Sequence, residues 1–393
     1  MSKLEDLIAE LCPSGVSHKK VKEVYTRIKG TPITAGKMKE IEKPDGNIRI
    51  FAGGRTVINA RENDIPHANI TRVPAVIVQS RGIIDVVFYD KPFTFKNEMW
   101  AYTCPEIASI KFLYYVFKNN IQKFRDAASG MGSLPQISLP VTEEFIIPFP
   151  PLPIQREIVK ILDCFVELSE ELSSELLYRK KQYKYYRDLL LTFSKENETH
   201  ERSTTRLDNV RWAKIKDFCS ISRGKVISKD YIRDNQGEYP VYSSQTENNG
   251  LFGSISDYMY DGEFITWTTD GANAGTVFHR SGKFNITNVC GLLKPDDEVI
   301  NIRYLYYALS IVAKKYVNDG MGNPKLMSNV MSEIKIPIPP MQEQKRIVSI
   351  LNYFDALCND TNNGLPAEIS ARQKQYEYYR NKLLSFRERK DVV

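Results

Sequence analysis

Polar and basic side chains recur in the loops of both halves of the chain, interleaved with aromatic residues. Arginine can donate two hydrogen bonds to guanine, glutamine or asparagine can pair with adenine, and lysine, serine or threonine can contact phosphate. The residues that could do this chemistry in the first half are Lys29, Thr31, Arg49, Arg55, Asn59, Arg61, Ser80 and Arg81. In the second half they are Arg223, Lys225, Tyr242, Ser243, Gln245, Thr246, Asn248, Thr268, Thr269 and Asn273. Ordinary solvated loops carry the same residue types, so both interpretations stay open.

No group of residues in the sequence has the spacing of an active site. The stretch from Gly275 to Lys283 lacks the spacing of a phosphate-binding loop, and no paired-histidine or paired-cysteine zinc motif occurs. The carboxylates at 296–298 follow a proline and are interpreted as a solvated turn rather than as a metal site. The sequence therefore predicts a protein without catalytic residues and without a bound metal.

Length and composition limit the class of protein. A chain of 393 residues predicts two or three domains, and 42% hydrophobic residues are enough for sizeable cores. The formal net charge of +6 is compatible with a nucleic-acid partner. The six cysteines are dispersed, so we expect a reducing, cytoplasmic environment without disulfides. No apolar run approaches the roughly 20 residues of a membrane span, and we expect no signal peptide.

One long segment occurs twice, over residues 148–193 and 337–386. Pro148 and Pro337 begin the copies at a spacing of 189 (337 − 148), and the apolar residues that follow keep this spacing. Gln182 and Gln375, nearer the ends, are 193 residues apart (375 − 182), so the second copy carries four extra residues. Each copy predicts a long helix, because its apolar residues recur with a period of about 3.6.

The charges predict how the two helices pair. The first helix is acidic at its start and basic from Arg179 to Arg187, and the second repeats this pattern more weakly. Antiparallel packing sets each acidic start beside the other basic end, so we expect an antiparallel, coiled-coil-like pair. Helices that never meet, each with a solvated charge gradient, are the alternative. Gly364 and Pro366 should break the second helix near residues 360–366, because a proline inside a helix costs about 3 kcal/mol.

The repeat continues outside the helices. Residues 16–24 match residues 210–218, and the loops between such matches diverge strongly. Other corresponding pairs are Gly30 and Gly224, Gly82 and Gly271, and Asn97 and Asn288. Runs of β-branched and aromatic residues, separated by turn residues and followed by a helix, predict an α+β fold with two similar globular α/β domains. The predicted segments are a first domain over 1–147, a helix over 148–193, a linker over 194–208, a second domain over 209–336 and a second helix over 337–393.

The helix motifs resemble those of one known family. PFPPLPIQREIVKILDCF and RKKQYKYYRDLLL in the first copy, with KQYEYYR in the second, are similar to the DNA specificity subunit of type I restriction–modification enzymes. The resemblance covers nearly the whole chain. It implies a non-catalytic subunit in which each globular domain is a target recognition domain for one half of an asymmetric, bipartite site on double-stranded DNA, while the helices space the two halves.

The resemblance also implies partners and the place of the cofactors. Two methyltransferase (modification) subunits would dock on the helices, and motor–nuclease (restriction) subunits would complete the complex. S-adenosylmethionine, ATP and Mg²⁺ would then belong to those partners, with no cofactor in this chain. Candidates for binding the methyltransferase are Tyr183, Tyr185, Tyr186, Tyr376, Tyr378 and Tyr379. Burial of these tyrosines between the helices is the other interpretation.

A second function stays open at this point. Two heads on a helical rod could form a structural adaptor with no role in DNA binding. Phosphate contacts predict a steep salt dependence of DNA binding, and the adaptor predicts no DNA binding at all.

Overall fold

A computed structural model describes residues 3–54, 56–65, 67–129, 134–193, 210–318 and 320–389. The elements up to residue 191 are α1 (Lys3–Leu11), β1 (Ser17–Lys20), α2 (Val21–Val24), β2 (Thr26–Lys29), α3 (Ala35–Ile41), β3 (Ile48–Phe51), β4 (Val57–Ala60), β5 (Ala75–Gln79), β6 (Asp85–Tyr89), β7 (Phe93–Phe95), β8 (Trp100–Thr103), α4 (Ile107–Asn119), α5 (Ile121–Asp126), α6 (Pro140–Glu143), β9 (Ile146–Phe149) and α7 (Leu152–Leu191). The later elements are β10 (Arg211–Lys214), β11 (Cys219–Arg223), α8 (Lys229–Asp234), β12 (Gln236–Tyr242), β13 (Leu251–Ile255), β14 (Tyr260–Thr268), β15 (Val277–Ile286), β16 (Cys290–Pro295), α9 (Ile302–Val312), α10 (Ser328–Glu333), β17 (Lys335–Ile338), α11 (Met341–Asn359) and α12 (Leu365–Leu383).

Two compact units divide the chain. Unit 1 comprises Met1–Ser173 and Ile369–Val393, and unit 2 comprises Ser174–Glu368. The boundary falls within α7, so each unit contains part of this 40-residue helix. Both units combine sheets and helices around a core of their own, which confirms the predicted fold class.

The described residues of unit 1 form three sheets. One has the strand order β2-β8-β5-β6, a second has the order β4-β3-β7, and β1 pairs with β9. Helix α4 packs on β5 and β6, and buries the rings of Phe112 and Phe117. A smaller apolar cluster around Phe51 and Phe93 joins the first two sheets, because it contains residues of β3, β5, β7 and β8.

Unit 2 repeats this strand order in one six-stranded sheet, β11-β16-β14-β15-β12-β13, and β10 pairs with β17. Strand β15 is continuous where unit 1 has the separate strands β6 and β7. Pro92, which has no N–H to donate, precedes β7 in unit 1. At the spacing of 191 that relates Asn97 to Asn288, the counterpart of Pro92 is Lys283 (283 − 92), which has an N–H. Gly282 beside it adopts a φ of +83°, which glycine tolerates.

Each unit contains its own pair of helical segments with the same aromatic contact. In unit 1, Phe165 of α7 stacks on Tyr379 of α12 with ring centroids 5.6 Å apart. In unit 2, Phe354 of α11 stacks on Tyr186 of α7 at 5.7 Å. Phe165 and Phe354 have the spacing of 189 that relates the two copies (354 − 165), so the repeat extends to the packing of the helices.

The helical segments of unit 2 run antiparallel. Tyr186 contacts Phe354, whereas the earlier residues Arg179 and Lys180 lie beside the later residue Cys358. Burial raises the pKa of the Cys358 thiol, and these two cations act in the opposite direction. Residue numbers therefore rise along one segment as they fall along the other, as the charge pattern predicts.

A turn at residues 360–364 separates α11 from α12, at the break that the sequence predicts. The Asp360 carboxylate accepts a hydrogen bond from the Asn362 N–H at 2.7 Å. A Cβ on Gly364 would lie 2.5 Å from the carbonyl oxygen of Ala356, so this close approach requires glycine.

Candidate nucleic-acid interface

Three loops of unit 1 are joined by hydrogen bonds between main-chain atoms. The Gly54 N–H donates to the carbonyl of Arg81 at 3.1 Å, and the Gly82 N–H donates to the carbonyl of Pro135 at 2.8 Å. The loops form one polar surface, here named loop cluster 1, with residues 52–54, 80–83 and 134–137.

Unit 2 joins the corresponding loops in the same way. The Gly271 N–H donates to the carbonyl of Pro324 at 3.0 Å, which repeats the bond from Gly82. The Ser244 Oγ lies 2.9 Å from the carbonyl oxygen of Asp270 and 2.8 Å from that of Val289, and its one hydroxyl hydrogen can bond to either. Loop cluster 2 consists of residues 243–250, 269–273, 287–289 and 324–326.

The two loop clusters carry opposite charges at corresponding positions. Arg81 of cluster 1 is exposed, and Asp270 of cluster 2 stands 189 residues later (270 − 81), the spacing that relates Gly82 to Gly271. The Asp270 carboxylate lies 3.8 Å from the Arg223 guanidinium and 3.6 Å from the Lys325 ammonium. It also accepts a hydrogen bond from the Thr269 hydroxyl at 2.5 Å. The two loop clusters therefore share main-chain hydrogen bonds but differ in the charge of the side chain at this position.

Arg223 is exposed but held in one orientation. Its Nη2 donates to the carbonyl of Asn288 at 2.6 Å and to the hydroxyl of Thr269 at 3.1 Å. The predicted residues of unit 2 that lie exposed or half-buried on or beside loop cluster 2 are Arg223, Lys225, Tyr242, Ser243, Gln245, Thr246, Asn248 and Asn273. The structure therefore brings eight of the ten candidates in this half together at an accessible surface.

The predicted residues of unit 1 are more dispersed. Lys29 is exposed at the end of β2, and Arg49 and Asn59 face each other across β3 and β4. Arg61 follows β4 and forms an ion pair with Asp45, whose pKa is lowered by that hydrogen bond. In this half, only Arg81 among the accessible candidates belongs to loop cluster 1. Arg55 lies outside the described residues.

Four candidates are buried, and their hydroxyl groups bond within the domain. Thr31 bonds to Thr94 at 2.6 Å, and Ser80 donates to the carbonyl of Glu98. Thr268 donates to a carbonyl of its own loop, and Thr269 donates to Asp270. These side chains stabilise the loops from within the domain and are not accessible to DNA.

The six helix tyrosines fall into two groups. Tyr183, Tyr186, Tyr376 and Tyr379 pack on Phe354 or Phe165 within their own units. Tyr185 and Tyr378 point away from these contacts and remain 63% and 61% exposed. They occupy equivalent positions in the repeat, and each contacts the next tyrosine edge-on, Tyr186 at 5.4 Å and Tyr379 at 5.3 Å. Both units therefore expose a tyrosine at this position of the helical segment.

Two residues that contribute to loop cluster 2 are missing from the predicted set. Lys325 pairs with Asp270, and Arg280 donates to the main chain of Asn249 from within β15. Lys325 stands 189 residues after Gln136 (325 − 136), and the structure places them opposite Asp270 and Arg81, respectively, a relation that the sequence alone does not show. Arg280 also gives no signal, because the burial pattern of β15 does not alternate and the sequence does not show that a buried arginine reaches a loop.

The described residues contain no group of three or more histidine, cysteine or acidic side chains that could hold a metal ion. Over the same ranges, no helix has both the length and the apolar character needed to cross a membrane.

Comparison with known proteins places these features in one family. The family model described as "Type I restriction modification DNA specificity domain" matches residues 13–178 and 209–371. Over 245 residues the chain is 44% identical to a putative type I specificity subunit of Mycoplasma pneumoniae, which covers 62% of this chain and 95% of that protein. The type I restriction enzyme MpnII specificity subunit of the same organism is 38% identical over 309 residues, covering 64% of this chain and 92% of that protein.

A solved structure has the same fold. The crystal structure of the S subunit of a type I restriction–modification system from M. genitalium matches with a TM-score of 0.63 at 19% identity, covering 94% of this chain and 96% of that one. The relatives are named as specificity subunits, in agreement with the expectation of a recognition protein rather than an enzyme. Because the family model matches both halves, the chain belongs to the type I restriction–modification DNA specificity family.

Proposed function

We propose that this chain is the DNA specificity subunit of a type I restriction–modification complex, in which each unit recognises one half of a bipartite site. The main support is that loop clusters 1 and 2 share a framework but present opposite charges at Arg81 and Asp270. Two domains with different exposed groups select different bases. The recognised site is therefore asymmetric rather than palindromic.

The exposed groups suit base contacts in the major groove. Arg81 can donate two hydrogen bonds to a guanine. Arg223 is held through its Nη2 by Asn288 and Thr269, and its remaining N–H groups can donate to a base. Gln245 and Asn248 carry amides that can pair with adenine. Lysines around the loops supply sequence-independent contacts to phosphate, which fix the position of the protein on the duplex.

The helical segments are proposed to space the two half-sites and to carry the partners. Half-sites read in neighbouring major grooves lie about one helical turn, roughly 34 Å, apart. Two methyltransferase subunits would bind through surfaces that include Tyr185 and Tyr378, and motor–nuclease subunits would join through them. Methylation of an adenine requires that the base leave the helical stack. We assign S-adenosylmethionine, ATP and Mg²⁺ to these partner subunits.

Methylation mapping tests the assignment of one half-site to each unit. DNA from a host that expresses this chain with a matched methyltransferase should carry one asymmetric motif with two defined parts and a fixed gap. Arg81→Ala should relax one part and Arg223→Ala the other, each by about fivefold or more, because a mismatched base pair typically costs about 1–3 kcal/mol. Lys91→Ala, on the turn between β6 and β7, is the matched control and should change neither part. Relaxation of the same part by both arginine variants would refute the assignment.

Changing the helical segments tests the spacer role separately. Adding or deleting one helical turn should lengthen or shorten the gap between the two parts, while the recognised bases stay the same. A gap that stays constant after such a change contradicts the spacer role but leaves base recognition intact.

A further inference from the structure

The loop between β12 and β13 has an unusual backbone conformation. Asn248, Asn249 and Gly250 adopt φ values of 47°, 55° and 78° in succession. Glycine accepts this left-handed region and asparagine tolerates it, but each non-glycine residue there still carries a conformational cost. Three such residues in a row need support from the surrounding structure.

Arg280 of β15 supplies that support through a side chain that is buried beneath the turn. Its side chain is buried, with 3% of its surface exposed. Its Nη2 donates to the carbonyl of Asn249 at 2.7 Å, and its Nε donates to the Thr266 hydroxyl at 3.3 Å. The guanidinium carbon lies 3.6 Å from the centre of the Tyr242 ring and 4.4 Å from that of Phe278. The guanidinium is thus fixed between two aromatic rings and bound to the turn.

This arrangement is costly for the stability of the domain. The contacts of Arg280 are with a carbonyl, a hydroxyl and aromatic rings, all of them neutral, and its Nη1 makes no hydrogen bond within the described part of the chain. Burial lowers the pKa of the guanidinium, because the charged form is removed from water. A buried charge without an ionic partner costs several kcal/mol, whereas an apolar side chain would fill the space at no such cost.

Unit 1 shows that the fold does not require an arginine here. The spacing of 191 that relates Asn97 to Asn288 (288 − 97) makes Tyr89 the counterpart of Arg280 (280 − 89). Tyr89 packs edge-on against Phe51 and Phe93, at 5.2 and 5.6 Å. The loop that connects β3 and β4, residues 52–56, is also shorter than the corresponding loop between β12 and β13, residues 243–250. The buried arginine is therefore specific to the unit with the longer, left-handed loop.

We propose that Arg280 is the positioning residue of the unit 2 recognition loop: it fixes the turn at residues 248–250 and so determines which bases Gln245 and Asn248 address, without contacting DNA itself. This role rests on the proposed function, since it assumes that unit 2 reads one half-site.

The full chain, assembled with its methyltransferase subunits, can be tested on a DNA library in which each half-site is varied one base at a time. Arg280→Met should lower the preference for the correct unit 2 half-site over its single-base variants by at least about tenfold. Preference at the unit 1 half-site should stay the same. Arg280→Lys keeps the charge but not the planar fork of donors, so it should give an intermediate loss. Lys283→Met is the matched control, because Lys283 is an exposed cation on the same strand, over Tyr258 at 4.5 Å.

The substitution Gly250→Ala perturbs the same turn but leaves the Arg280 guanidinium in place. An alanine Cβ would lie 2.9 Å from the Arg280 Nη2 and 3.1 Å from the carbonyl of Gln245, at a φ of +78°. It should cause the same selective loss at the unit 2 half-site, and it decides the question if Arg280→Met does not fold.

The outcomes distinguish a wrong role for Arg280 from a wrong function for the whole chain. Unchanged preferences at both half-sites in Arg280→Met and Gly250→Ala overturn the role of Arg280, and so does an equal loss at both half-sites. If the unsubstituted complex shows no two-part sequence preference, the proposed function fails instead. Thermal unfolding of each variant, measured in parallel, identifies any loss that is caused by unfolding.

Discussion

At the scale of single residues, Gln155 and Gln344 occupy equivalent places at the start of the repeated helix but are satisfied differently. Both donate to the carbonyl of the preceding proline segment, at 2.7 and 2.9 Å. Gln344 also accepts from the Asn301 N–H at 2.8 Å and donates to the carbonyl of Val299. The Oε1 of Gln155 is buried and makes no hydrogen bond within the described ranges. The same residue therefore contributes differently to the stability of each unit.

Replacement of each glutamine by leucine should show this difference. Gln344→Leu should lower the free energy of unfolding by about 2–4 kcal/mol, because it removes the partner of one buried and two half-buried main-chain groups. Gln155→Leu should cost about 1 kcal/mol or less, since one bond is lost and one unsatisfied oxygen is removed. Denaturant unfolding followed by tryptophan fluorescence in a Trp100→Phe background reports unit 2, and a Trp212→Phe, Trp267→Phe background reports unit 1. Equal losses would contradict this account.

A carboxylate between two lysines predicts a pH dependence. Glu333 lies 2.6 Å from the Lys214 ammonium and 2.5 Å from that of Lys216, and these hydrogen bonds lower the pKa of Glu333 to about 2. Because the pKa in the folded protein is below the ordinary value of about 4.3, the pairs stabilise the fold above that value. Their contribution is lost as the pH falls towards 2. Glu333→Gln should therefore be slightly less stable than the unsubstituted chain at pH 7 and equally stable near pH 2, as measured by denaturant unfolding at each pH.

At the scale of elements, one tyrosine in each unit ties the helical segment to the globular part. The Tyr115 hydroxyl of α4 donates to Asp163 of α7 at 2.5 Å, and the Tyr307 hydroxyl of α9 donates to Asn352 of α11 at 2.7 Å. Burial raises the pKa of Tyr115, so the group stays protonated and keeps donating. These bonds fix the direction in which each helical segment leaves its own domain.

The exposed tyrosines predict where partners bind. The double substitution Tyr185→Ala, Tyr378→Ala should reduce retention of the methyltransferase in co-purification by about tenfold or more, since aromatic residues dominate many interfaces. The melting temperature and the recognised bases should not change, because both rings are largely exposed. Tyr231→Ala, an exposed tyrosine on α8 of unit 2, is the control. Unchanged retention counts against this surface.

At the scale of the whole molecule, the sequence allowed the helices to be predicted more accurately than the residues of the two loop clusters. Periodicity predicted the helices, charge predicted their antiparallel pairing in unit 2, and Gly364 with Pro366 predicted the break between α11 and α12, because these features depend on local sequence. Burial of Thr31 and Thr269 was not predictable, since their hydroxyls bond to residues that folding brings near. Arg280 was missed because its role depends on a loop that lies above its strand, and no spacing in the sequence shows that relation.

Salt dependence distinguishes the proposed function from an adaptor that does not bind DNA. If four lysines or arginines contact phosphates, affinity should fall about 100-fold between 50 and 200 mM salt, because bound counterions are released. Fluorescence anisotropy of the full complex with a labelled duplex measures this, and a duplex without the methylated motif serves as the control. Absence of any salt-sensitive binding would favour the adaptor.

Both loop clusters are joined in part by main-chain hydrogen bonds, such as those from Gly54 to Arg81 and from Gly271 to Pro324, which do not depend on the outward side chains. Their outward side chains can therefore mutate with little penalty to folding. A lineage carrying this scaffold could drift to new target sequences through a few substitutions, with no unstable intermediate on the way. Diversification of recognition would then be limited by the need to keep the host genome methylated, rather than by protein stability.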